Sequence, residues 1–130
     1  MKKILIILVI VLLQVSCQAQ VKKGVELVPP AAFLQKMEAA KGHIEVIDVR
    51  TPKEYQSGYI NNAVNMHVYD KDFEQRVDKI DKENTVFIYC KAGGRSAEAV
   101  EILKEKGFNH IVELEGGMDA WTEAGKPVKH

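Results

Sequence analysis

No C-x-x-C pair occurs in this chain, and its two cysteines, Cys17 and Cys90, stand far apart, so a thioredoxin-like dithiol has no candidate residues. Net charge is missing too: 18 basic side chains balance 18 acidic ones over 130 residues, which leaves no electrostatic footprint for nucleic acid. The four histidines, His43, His67, His110 and His130, are scattered without ligand spacing, and no metal site or cofactor is implied. There is one tryptophan, Trp121, expected as a core anchor rather than a ligand platform. Neither an internal repeat nor a low-complexity tract divides the chain, and its length suits a single domain.

No apolar run reaches the roughly 20 residues that span a bilayer. The longest, Ile4 to Leu13, follows Met1-Lys2-Lys3 and reads as a secretory leader with a positive start and a short apolar centre. The competing reading of this run is a membrane anchor. Val15-Ser16-Cys17 resembles the end of a bacterial lipobox. The expectation is therefore a lipoprotein-type signal at 1–16, lipidation at Cys17, a tether at 17–24 and a domain from 25 to 130, exported to the periplasm and held at the membrane by a lipid anchor. Cleavage after Ala19 would instead release a soluble periplasmic protein. Either way Cys90 is left as the only free thiol in an oxidising compartment.

The domain reads as alternating short strands and helices. Glu26 to Val28, Ile44 to Val49, Ala63 to Met66, Thr85 to Tyr89 and His110 to Leu114 are strands. Ala31 to Ala40 is a helix with Phe33, Leu34 and Met37 inward, Lys71 to Val77 a charged helical turn, and Met118 opens a last helix that breaks by Gly125. Thr51-Pro52-Lys53-Glu54 has the spacing of a capping box with proline at the first helical position. Such alternation implies an α/β layer fold on a parallel sheet, with the ligand beyond the carboxyl ends of the strands.

Most of the chemistry is concentrated in Val86 to Ser96. Val86 to Tyr89 are apolar without alternation, which suits a strand covered on both faces. Cys90 follows at the carboxyl edge. Gly93 and Gly94 allow positive φ, so successive peptide N–H groups can converge on one point. Ser96 is expected to cap a helix running to Lys106, with Ala99, Val100 and Leu103 inward and Gly107 closing it. A cysteine at the end of an apolar strand is more often core filler. Filler, however, needs no donor-gathering loop flanked by Lys91 and Arg95. These features should lower the thiol from its usual ~8.5 and make Cys90 a thiolate nucleophile. Asp48, at a strand edge, and Arg50 are supporting positions, with bracing of the strand end as the alternative for each.

The loop resembles that of the rhodanese (sulfurtransferase) family. Asp48-Val49-Arg50 with Glu54-Tyr55 is similar to the family's D-V-R-x-x-x-E-[YF] signature, Gly58 to Asn65 to its G-H-I-x-G-A-x-N turn, and Leu114 to Trp121 to its closing L-x-G-G-x-x-x-W. Together they cover roughly Val25 to Val128. Asn62 stands where glycine is usual, and asparagine tolerates positive φ best among other residues. Tyr59 stands where histidine is usual. The resemblance implies a three-layer fold with a central five-stranded parallel sheet flanked by helices. It also implies that Cys90 accepts a sulfane sulfur as a persulfide from thiosulfate or a similar donor, cradled by Lys91, Ala92, Gly93, Gly94, Arg95 and Ser96, and yields it to a thiophilic acceptor, small or protein.

Two other functions compete. A non-enzymatic carrier or binding module would present the persulfide to a periplasmic partner. A phosphatase or arsenate reductase needs five residues between cysteine and arginine to wrap a tetrahedral oxyanion; only four separate Cys90 from Arg95, so Ser96 falls at the arginine position.

Overall fold

Runs of β-branched and aromatic residues pair side by side around the stretch Thr85 to Tyr89, which is apolar on both faces and covered on both. The computed structural model describes residues 24–130. The strands are β1 (Gly24–Val28), β2 (Ile44–Asp48), β3 (Val64–Asn65), β4 (Thr85–Tyr89) and β5 (His110–Leu114), and the helices α1 (Pro30–Ala39), α2 (Pro52–Gln56), α3 (Phe73–Asp78), α4 (Gly94–Glu105) and α5 (Gly117–Glu123). All strand pairs are parallel, in the order β1-β5-β4-β2-β3. The expected mixed α/β architecture with a five-stranded parallel sheet flanked by helices is what forms. The leader, Cys17 and the tether up to residue 23 lie outside the described residues; Gly24, placed in the tether by sequence, already belongs to β1.

Strand alternation sorts the core into two layers. Ile47, Val49, Val86, Ile88 and Ile111 face Phe73 and Val77 of α3 and Ala99, Val100 and Leu103 of α4. Val46, Phe87, Tyr89, Val112 and Leu114 face Phe33 of α1 and Met118 and Trp121 of α5. Trp121 is 1% exposed, meets Phe33 edge-on at 6.0 Å, and donates from Nε1 to the Pro127 carbonyl at 2.8 Å, which satisfies its one polar atom.

The sequence reading differs from the structure mainly at element ends. Pro30 enters α1 as its first residue, one before the expected start at Ala31, because the N–H it lacks is one that no helix uses there. Asn62 takes φ 67°, the only non-glycine residue among those described with positive φ, so the turn survives without its usual glycine. The third motif residue from it, Asn65, donates from Nδ2 to the carbonyls of Asp48 and Arg50 at 3.1 and 2.9 Å and ties β3 to the end of β2.

Candidate active site

β4 occupies the middle of the sheet, and the chain leaves it toward β5 while it leaves β2 toward β3. The carboxyl ends of β2 and β4 therefore flank a point where connections diverge, which is where α/β sheets open a crevice. Cys90 is the residue immediately after β4. Its side chain shares the α3/α4 face with Val49 and Ile88 and is 1% exposed. The Gly93 N–H donates to Sγ at 3.0 Å, and the Ser96 hydroxyl lies 3.4 Å from it. Burial is the largest influence on this thiol and pushes it up. Against burial act the Ser96 hydroxyl and the backbone N–H groups of Ser96, Gly93 and Ala92, and together they prevail, so Cys90 ionises below its ordinary value.

The loop geometry corrects several sequence expectations. Only Gly93 takes positive φ, 116°; Gly94 is already the first residue of α4. Gly93, not Ser96, is the N-cap residue, and no side chain caps the helix. Ser96 instead lies inside the first turn, fully buried. Its hydroxyl stands 2.8 Å from Glu113 Oε2 and 3.2 Å from the Gly93 carbonyl. A residue expected to serve the backbone serves the sulfur and a carboxyl.

The two cations are not free. Lys91 Nζ donates to both carboxylate oxygens of Asp119 at 3.0 and 2.8 Å, with both side chains more than half exposed. Arg95 spans Glu54 with both arms of its fork at 2.7 and 2.9 Å. Glu54 also closes the capping box with Thr51, so one carboxylate caps the start of α2 and holds the arginine of a loop 41 residues away. The Arg95 hydrogen bonds are the largest cause holding the Glu54 carboxyl at about 2, against an ordinary 4.5; burial opposes them, and the Thr51 backbone and hydroxyl assist. A carboxyl depressed on folding adds stability above its unfolded value and loses it as pH falls through the folded one. Glu54→Gln should therefore lower stability at neutral pH and flatten its decline between about pH 5 and pH 2, read by thermal unfolding across that range.

Asp48 and Arg50 are brought together, but not to the sulfur. Both Arg50 Nε and Nη2 bind the Asp48 carboxylate, at 3.0 to 3.1 and 2.6 Å, and Nη2 also donates to the Gly58 carbonyl at 2.7 Å. Asp48 pairs in register with Tyr89, whose ring lies 5.7 Å from the Arg50 guanidinium, on the α1/α5 face and opposite to Cys90. The pair braces the ends of β2 and β4 and the turn at Gly58, the bracing alternative read from sequence.

Further contacts escaped the sequence reading. Met118 N–H donates to the Cys90 carbonyl at 2.8 Å and Asp119 N–H to that of Lys91 at 3.0 Å, so the start of α5 holds the loop from below. Exposed Tyr69 donates to Glu98 beside the mouth. Glu113 is a buried carboxyl between the apolar Val112 and Leu114, and that oddity was the available signal, since such a group must find a partner. Among the described residues no cluster of histidine, cysteine and carboxylates could hold a metal ion.

Comparison with known proteins agrees with this geometry. Residues 30–124 match the family described as Rhodanese-like domain. The protein named Sulfurtransferase of Allochromatium vinosum is 34% identical over 83 residues, 64% of this chain and 76% of that one. Thiosulfate sulfurtransferase PspE of Escherichia coli is 42% identical over 74 residues, 55% of this chain and 68% of its own. The crystal structure of a rhodanese-related protein from Thermoplasma volcanium superposes with a TM-score of 0.69 at 32% identity, covering 80% of this chain and 97% of that one.

Proposed function

The chain belongs to the rhodanese-like domain family, and from that premise we propose that it is a sulfurtransferase in which Cys90 carries the sulfur as a persulfide taken from thiosulfate or a similar sulfane donor. The observation that carries this reading is the sulfur itself, buried yet surrounded by the Ala92, Gly93 and Ser96 N–H groups that favour its anion. In the first half-reaction the Cys90 thiolate attacks the outer sulfur of the donor, the donor S–S bond breaks, and the electron pair leaves with sulfite. The second is the same displacement in reverse. A thiophile attacks the outer sulfur of the persulfide and the pair returns to Sγ. The N–H groups stabilise both anionic forms without reorganising. The test is mass spectrometry after incubation with thiosulfate: one added sulfur atom, removed by cyanide, is expected, and an unmodified chain overturns the reading.

A second reading, a carrier that loads once and presents its persulfide to a protein partner, is favoured by the paired cations. With Lys91 held by Asp119 and Arg95 by Glu54, the mouth offers little free positive charge to a small dianion. Steady-state turnover of thiosulfate with cyanide supports the enzyme; a single loading without turnover supports the carrier. Phosphatase chemistry is disfavoured too, because Ser96 stands at the arginine position and the one arginine of the loop, Arg95, is occupied by Glu54.

Both cations are expected to matter, unequally. Arg95→Ala removes a partly buried cation that interacts with Cys90 and leaves its partner Glu54 unpaired, so the thiol should rise and kcat/KM fall by about 1.5–3 kcal/mol. Lys91→Ala breaks an exposed pair and should cost about 1 kcal/mol or less, most of it at low salt. Equal and salt-independent losses across ionic strength would contradict this division.

Export and lipidation at Cys17 complete the proposal, supported by the charged start, the apolar run and Val15-Ser16-Cys17. Cys17→Ala should move the protein from the membrane to the soluble fraction or leave it unprocessed. A wild-type soluble protein beginning at Gln20 would contradict lipidation.

A further inference from the structure

Glu113 is the one buried carboxyl among the described residues that is neither ion-paired nor used by the sulfur chemistry above. It projects from the middle of the sheet onto the α3/α4 face, opposite in register to Ile88, two residues before Cys90. Its Oε2 lies 2.8 Å from Ser96 Oγ, which lies 3.4 Å from Cys90 Sγ, and exposures of 8%, 0% and 1% keep this chain of three groups out of solvent. A hydroxyl between two acidic groups has one proton to give and lone pairs to receive another. When Cys90 is a thiolate, Ser96 donates to Sγ and accepts from a protonated Glu113. If Glu113 ionises instead, Ser96 donates to it and accepts from the thiol. Two buried anions joined through one hydroxyl are strongly disfavoured, so both groups do not ionise together near neutrality.

We propose that Glu113 is a positioning residue for the sulfur chemistry: Glu113 and Cys90 hold one proton between them through the Ser96 hydroxyl, and this shared proton sets how much of Cys90 is thiolate. The exchange is balanced within the protein. Glu113 Oε2 gives its proton to Ser96 Oγ as Ser96 gives its own to Sγ, converting acid and thiolate into carboxylate and thiol with no proton taken from or lost to solvent. Burial, the main influence on Glu113, raises its carboxyl above the ordinary value, with the Ser96 bond acting against it, the direction that favours the acid beside a thiolate. The Gly93 carbonyl, 3.2 Å from Ser96 Oγ, competes for the hydroxyl proton but is uncharged and loses it to whichever neighbour is the anion.

Other charged groups around the sulfur are accounted for. Arg95 of α4 senses it, but is joined to Glu54 of α2; Tyr69, before α3, senses it while bound to Glu98 of α4; Lys91 in the loop is joined to Asp119 of α5. Asp48, Arg50 and Tyr89 are on the other face of the sheet. Glu113 alone reaches Sγ through a single proton-bearing atom.

This inference rests on Cys90 being the sulfur-carrying residue, but its test needs no sulfur donor. The ultraviolet absorbance of the Cys90 thiolate is titrated in the full-length protein, with the Cys90→Ser variant subtracted, for wild type, Glu113→Gln, Ser96→Ala and the double variant, each first shown to unfold cooperatively. Wild type should ionise in two overlapping steps. Glu113→Gln, whose amide N–H permanently donates to Ser96, should ionise in one step with its midpoint about one unit lower, a roughly tenfold larger thiolate-to-thiol ratio at a pH below both midpoints. Ser96→Ala should move the midpoint up, and on that background Glu113→Gln should shift it by less than half as much. A Glu113→Gln midpoint equal to wild type, or a full shift that persists without the Ser96 hydroxyl, overturns the shared proton. Loss of sulfur transfer with this coupling intact would instead count against the proposed function alone.

Discussion

Cys90→Ser is expected to give a folded protein that gains no sulfur from thiosulfate and turns none over. The substituted atom sits in a corner already furnished with the Gly93 N–H and the Ser96 hydroxyl, so a serine oxygen finds partners there and stability should stay within about 1–2 kcal/mol of wild type. Chemistry is another matter. The loop N–H groups favour an anion, but they start from a thiol that ionises near neutrality, whereas an alcohol lies far above it. A relay through Ser96 to Glu113 could at most orient the hydroxyl, and oxygen remains a poor nucleophile toward a soft sulfane sulfur. Thermal unfolding, the mass of the thiosulfate-treated protein and the cyanide-dependent turnover rate together decide the point. Undiminished turnover in a folded Cys90→Ser protein would remove Cys90 from the mechanism.

Gly117→Ala should be the most damaging change outside the loop. Gly117 takes φ 58°, where an alanine costs about 1–2 kcal/mol. A Cβ there would also stand against the Cys90 carbonyl oxygen and 2.6 Å from the Lys91 carbonyl carbon, backbone atoms with no rotamer to escape into. Forcing that separation adds roughly 1–3 kcal/mol and pushes the loop off the N–H groups of Met118 and Asp119 that hold it. A total loss of about 2–5 kcal/mol is expected, with a raised Cys90 thiol and reduced sulfur uptake in whatever remains folded. Gly125→Ala is the control, since Gly125 has φ 69° but nothing within 4 Å of an added Cβ. It should carry the backbone cost alone, about 1–2 kcal/mol, and leave sulfur uptake intact. Equal losses in the two variants would show that the close approach to the loop contributes nothing.

That approach also explains the paired glycines of the closing motif. Gly116, at φ 75°, caps α5 and would press a Cβ onto Ala120, while Gly117 admits the loop that follows β4. From sequence they are a turn signal. Their contact with residues 90 and 91 emerges only once β5 lies beside β4, because that pairing brings the two strand ends within reach.

Features legible in the sequence are those decided within about one helical turn of chain. Val86 to Tyr89 had to be a covered strand because no alternation gives it a wet face, and Cys90 had to fall at its carboxyl end. Thr51 and Glu54 cap α2 from three residues apart, Asn62 takes the positive φ of its turn, and Gly93 carries the loop past the sulfur. The limits of that locality show at Ser96, a good capping residue whose hydroxyl was drawn to the sulfur and Glu113 because Gly93 had already satisfied the turn. Arg95 and Lys91 read as free cations for the same reason: their partners Glu54 and Asp119 are 41 and 28 residues away. By itself, then, the sequence determined the α/β class, the order of elements and the position of the candidate nucleophile at the end of its strand, since these follow from hydrophobic pattern and local backbone freedom. Which groups surround that nucleophile, and which charges are already neutralised, was decided by the parallel strand order β5-β4-β2, which gathers chain segments distant in sequence at one edge of the sheet where buried or half-buried polar groups must satisfy one another.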